Sequence, residues 1–79
     1  MMTIGDNMDE EEYKVKDVLE AVKVALDYLA KKGIVVFTRE VRSVFRNSMI
    51  WCVELDSNKY IGTIIIKAKT GEIAKEVML

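Results

Sequence analysis

Between Val15 and Leu29 the apolar residues recur at intervals of three and four: Val15, Val18, Leu19, Val22, Ala25, Leu26 and Leu29. That period gathers them on one side of an amphipathic helix. Asp9 followed three residues later by Glu12 has the spacing of a capping box, and Asn7 with Glu10 offers a slightly earlier one. Glu10, Glu11 and Glu12 put negative charge where a helix dipole favours it, while Lys31 and Lys32 do the converse at the far end. Gly33 can take the left-handed conformation that stops a helix. Glu10–Lys14, Glu12–Lys16 and Asp27–Lys31 are i,i+4 pairs, each worth about 0.2–0.5 kcal/mol. Residues 1–8 have no period and read as a loose tail, so residues 9–79 form the single expected domain.

Beyond Gly33 the period drops to two. Ile34–Phe37 is β-prone, as a short strand or an extended connection. Val41–Arg46 reads as a strand closed by a turn at Asn47-Ser48; a short helix over 38–46, capped by Thr38, competes because Val41, Val44 and Phe45 also fit helical spacing. Met49, Trp51, Val53 and Leu55 alternate with Ile50, Cys52, Glu54 and Asp56, a strong strand pattern. A turn cluster at Asp56–Lys59, a β-branched run over Tyr60–Ala68, a loop at Lys69–Glu72 with Gly71, and a last strand over Ile73–Met78 complete the chain. The expected fold is α+β: one long N-terminal helix packed on a three- to four-stranded antiparallel meander sheet.

A single helix covers one face of such a sheet. Trp51, Val53, Leu55, Tyr60, Ile64 and Ile66 are the expected covered set, each gaining about 1.5–3 kcal/mol on full burial. Ile50, Cys52, Ile61 and Ile65 point the other way, with Thr63 and Lys67 among them. A water-facing side ordinarily reads polar at every second position. This partly apolar one suggests a second covering layer, either another copy in a twofold homodimer or a different protein partner.

Composition narrows the chemistry. Seventy-nine residues suffice for one small core, and no apolar run approaches membrane-spanning length. The acidic start lacks the basic region of an export signal, and the lone Cys52 has no internal disulfide partner, so a reducing, cytoplasmic setting is expected. The absence of His removes Ser–His and Cys–His catalysis and every His-containing zinc site. Glu54 and Asp56 share a strand face, but with Ser43, Ser57 and Cys52 they form no nucleophile–base constellation, and the four glycines are too scattered to cradle a phosphate. Neither an enzyme nor a cofactor is expected.

Charge is unevenly placed. Residues 1–30 carry eight acids and three lysines, a net −5; residues 31–79 carry nine bases and five acids, a net +4. Two binding alternatives follow. Asp6, Asp9, Glu10 and Glu12 are oxygen donors for a divalent cation, without the spacing of a twelve-residue calcium loop. Arg39, Arg42, Arg46 and Lys59 are candidate RNA contacts, with Tyr60 or Phe37 for stacking, against a net acidic chain lacking an RNP-type aromatic motif.

The order of motifs carries a resemblance. Ala21-Val-Lys-Val-Ala25-Leu-Asp-Tyr28-Leu29 precedes Val41-Arg-Ser-Val44, Trp51-Cys-Val-Glu-Leu55 and a hairpin through Lys69-Thr-Gly-Glu72. Over residues 18–78 this resembles the PepSY-like, cystatin-like arrangement, and is similar to the small gas-vesicle accessory proteins of the O type. The resemblance implies the fold and an inhibitory or regulatory module, of a kind usually exported or membrane-attached; it assigns no functional residue.

Overall fold

The computed structural model describes residues 13–79. The caps at Asp9/Glu12 and Asn7/Glu10, the pairs from Glu10 and Glu12, and the tail over 1–8 lie outside the described residues. The helix α1 spans Val18–Lys31, and four strands follow: β1 Val41–Asn47, β2 Ile50–Asp56, β3 Ile61–Lys67 and β4 Ile73–Met78. They form one antiparallel sheet in the order β1-β2-β3-β4, with α1 on one face. This is the α+β meander that the change of period predicts.

The start of α1 corrects the sequence reading. Asp17 is its N-cap, extended at φ −145° and ψ 177°, and its carboxylate accepts from the Glu20 N–H at 2.9 Å. Glu20 reaches back to accept from the Lys16 N–H at 2.6 Å. Val15 is therefore not on the helical stripe. The Lys14 and Val15 N–H groups donate to the carbonyls of Lys69 and Ala68, the Trp51 indole donates to the Val15 carbonyl at 2.9 Å, and the Val15 side chain is buried. Burial of one β-branched side chain and three hydrogen bonds outweigh the small cost of ending the helix early. The shift rotates the stripe: Val18 and Leu19 are exposed, whereas Ala21, Val22, Ala25 and Leu29 are buried. The expected Asp27–Lys31 pair is not among the ion pairs of the described residues; Lys32 pairs with Glu76 instead.

At the other end the Gly33 N–H donates to Ala30 and the Ile34 N–H to Leu29, with Gly33 at φ +85°. That is a Schellman stop. Ile34–Phe37 is an extended connection rather than a strand, with Val36 turned into the core. The competing helix over 38–46 reduces to one 3₁₀ turn, Thr38–Glu40, before β1. The β1–β2 hairpin closes through Ser48-Met49, so Met49 sits in the turn and not on the strand.

Trp51, Val53, Leu55, Ile64, Ile66 and Tyr60 are all in the core beneath α1, as the alternation predicts. Ala21 and Ala25 let the helix lie close to them. Two bulges adjust the edges: Arg42 is the extra residue of β1 and Ala74 that of β4. Each puts residues of opposite parity on one face, so Val41 joins Val44, and Ile73 joins Glu76, on the helix side.

Candidate interaction face

The face of the sheet away from α1 is assembled from alternate residues of each strand, and the register arranges them in rows across it. The first row is Asn47, Ile50 and Lys67. The second is Phe45, Cys52, Ile65 and Lys75, the third Ser43, Glu54, Thr63 and Val77, and the fourth Asp56 and Ile61. Ile50, Cys52, Ile61 and Ile65, singled out from the sequence, therefore share this face.

The apolar content lies chiefly in the second row. Phe45 is 47% exposed, and Ile61 and Val77 below it are 45% and 39% exposed. Cys52 is buried even though it faces this side, between its cross-strand neighbours Phe45 and Ile65. Burial pushes its thiol pKa up, with the Glu54 carboxylate adding to the shift, so the sulfur is a thiol rather than a thiolate at neutral pH. Phe45 and Val77 were not singled out from the sequence. Alternation counted from Val41 would put Phe45 on the helix side, and the Arg42 bulge reverses that parity.

The polar groups of the face are braced locally. The Ser43 hydroxyl donates to Glu54 at 2.7 Å, Arg42 lies 3.6 Å from Asp56, and Lys67 lies 3.6 Å from Glu72. An open depression of about 310 Å³ at the lower end is lined by Arg42, Glu54, Asp56, Ile61, Thr63 and Val77. Glu54 and Asp56 do share a face, but one holds a hydroxyl and the other a guanidinium.

No family model matches the chain, and neither a curated protein nor a solved structure does. The face must be read from its own chemistry.

Three of the four basic candidates lie towards one end of the sheet and Arg46 towards the other. Arg39 and Arg42 precede or open β1, and Lys59 is in the β2–β3 loop beside the Arg42 end of the sheet. Arg46 is four residues along an extended strand, about 13 Å away. Its guanidinium stacks on Tyr13 at 4.8 Å and over Trp51 at 5.9 Å, and its Nε donates to the Ser48 carbonyl. Tyr60 cannot offer a stacking face: it is 2% exposed. The Phe37 ring is already faced by Arg39 at 4.8 Å. The proposed cation ligands Asp6, Asp9, Glu10 and Glu12 lie outside the described residues, and among the described residues no cluster of three metal-ligating side chains occurs. No described helix is long and apolar enough to cross a membrane.

A second polar centre, on the helix side, was not foreseen. Glu76 of β4 accepts from the Tyr28 hydroxyl at 2.7 Å, the Lys32 ammonium at 2.7 Å and the Tyr60 hydroxyl at 3.0 Å. Lys32 also sits 4.5 Å over the Tyr28 ring. The Lys32 and Tyr28 donors hold the Glu76 carboxyl below its ordinary pKa. In return Glu76 raises that of Lys32, and burial, aided by Glu76, raises that of Tyr60. The centre ties the C-terminal half of α1 to the outermost strand. Only the Ala74 bulge brings Glu76 to this face, and no sequence signal marks that bulge.

Proposed function

We propose that this chain is a non-enzymatic interaction module of a reducing, cytoplasmic setting that self-associates through its open sheet face as a twofold dimer. The observation that carries the reading is the Phe45–Cys52–Ile65 row, bordered by Ile50, Ile61 and Val77, on a face that no described element covers. Strands about 4.8 Å apart and seven residues long give a face of about 20 by 23 Å, and two such faces cover about 900 Å² before side-chain relief is counted. That is close to the lower bound of specific interfaces, about 1,000–1,200 Å². A weak, concentration-dependent dimer fits this area better than an obligate one. A regulatory role rests on the PepSY-like order of motifs alone.

Sedimentation equilibrium tests the reading. The wild-type chain should shift from monomer to dimer across the micromolar range, and Ile65→Lys should remain monomeric with an unchanged far-ultraviolet spectrum. A wild-type chain that is monomeric at several hundred micromolar overturns the proposal and leaves the face to a different protein.

A further inference from the structure

We infer that the two copies meet about a twofold axis running parallel to the strands, midway between β2 and β3, so that the Phe45 ring of each is capped by the partner's Lys75. The inference rests on the self-association proposed above. Two orderly ways exist to stack this face on itself with the strands roughly aligned. An axis parallel to the strands keeps each row over itself and exchanges β1 with β4 and β2 with β3. An axis across the strands keeps each strand over itself and exchanges the rows.

The rows discriminate between them. Under the first arrangement the second row is its own complement: Cys52 lies over the partner's Ile65, and Phe45 over the partner's Lys75. The apolar centre is doubled and each aromatic ring receives a cation, whose aliphatic stem covers the ring edge. In the third row Glu54 lies over the partner's Thr63, a hydroxyl that can donate to it, and Ser43 lies over the partner's Val77. Under the second arrangement, with the axis at the centre of the four rows so that the Asp56 and Ile61 row is also covered, the same apolar row is pressed onto Ser43, Glu54 and Thr63. Cys52 then covers the partner's Glu54, a carboxylate losing water with no new donor. That arrangement does bring Lys67 towards the partner's Asp56, but both are exposed and already have partners within 3.6 Å, so the gain is small. The second arrangement buries the Glu54 carboxylate with Ser43 as its one donor, whereas the first adds Thr63, and that difference decides for the first.

Short-range crosslinking reads the axis directly. In a Cys52→Ala background, Ser43→Cys and Val77→Cys on one chain are separated by three strand spacings, about 14 Å, too far for a short bismaleimide. Across the proposed axis each faces the other on the partner. The double variant S43C/V77C should therefore give a covalent dimer, and S43C alone should not. A covalent dimer from S43C alone indicates the axis across the strands and overturns the inference. A chain that dimerises by sedimentation but is not linked by S43C/V77C also overturns it while the self-association stands. A monomeric wild type removes both. Independently, Lys75→Glu should weaken the dimer by roughly tenfold, since two symmetry-related ring contacts are lost, and Lys75→Arg should preserve it. An unchanged dissociation constant for Lys75→Glu counts against the proposed pairing.

Discussion

Glu76 receives hydrogen bonds from Tyr28, Lys32 and Tyr60, and its folded pKa lies below its unfolded value near 4.3. A depressed carboxylate contributes stability that is fully present above the unfolded pKa and fades as pH falls through the lower, folded one. Lys32 and Tyr60 have raised values, so their contribution is complete at neutral pH and fades only in alkali above about pH 10. Thermal midpoints should therefore be level from about pH 5 to 9 and fall below about pH 4. Glu76→Gln should lower the neutral midpoint and flatten the acid limb. A variant whose acid limb is as steep as that of the wild type would place the sensitivity in other carboxylates. Nothing at the level of single residues foretold this centre. Lys75 and Glu76 are consecutive charges on a final strand, and only the bulge decides which of them faces α1.

At the level of elements, the periods were legible, as were the stop of α1 at Gly33 and the span of β4, while the start of α1 was not. The two-residue period from Trp51 to Leu55 located β2 and assigned its faces, because strict alternation leaves one assignment once one face is buried. The spacing of Val41 and Val44, which imitates a helix, has a different cause: the Arg42 bulge places residues three apart on one side of β1. The start of α1 was missed because the apolar stripe continues in register through Val18 to Val15, while Val15 is held by contacts with residues more than thirty positions away. Asp17 followed by Glu20 was the local signal of the true start, with the same spacing as Asp9 and Glu12. Asp17→Ala should destabilise the fold by about 1 kcal/mol, lowering the melting midpoint by roughly 4–8 °C. Asp17→Asn or Asp17→Ser should recover most of that, as measured by thermal denaturation.

At the level of the whole molecule, the helix and four strands of the described residues leave one face of the sheet without a second layer among them. Gly62 shows how tightly the chain packs where it does pack: a Cβ there would meet the Val77 carbonyl oxygen and lie 3.0 Å from the Met78 Cα. The contrast between that compact side and the face carrying the exposed Phe45, Ile61 and Val77 is what self-association would remove. If it does, the dimer must also be the more stable form. The melting midpoint should then rise with protein concentration, by roughly 3–5 °C for each tenfold increase above the dissociation constant. A midpoint independent of concentration over two decades would mean that the face contributes nothing to stability by pairing. The placement of Ile50, Cys52, Ile61 and Ile65 on one face was legible because β2 and β3 alternate cleanly. The share taken by Phe45 and Val77 was not, because the bulges in β1 and β4 hide the parity of the edge strands.

The bond from the Trp51 indole to the Val15 carbonyl has an optical consequence. Trp51 is the sole tryptophan, it is nearly fully buried, and its ring nitrogen touches the segment that leads into α1. Its fluorescence is thus a private gauge of that seam: detachment of residues 13–16 would wet the indole and redden its emission while the far-ultraviolet signal of helix and sheet stays in place.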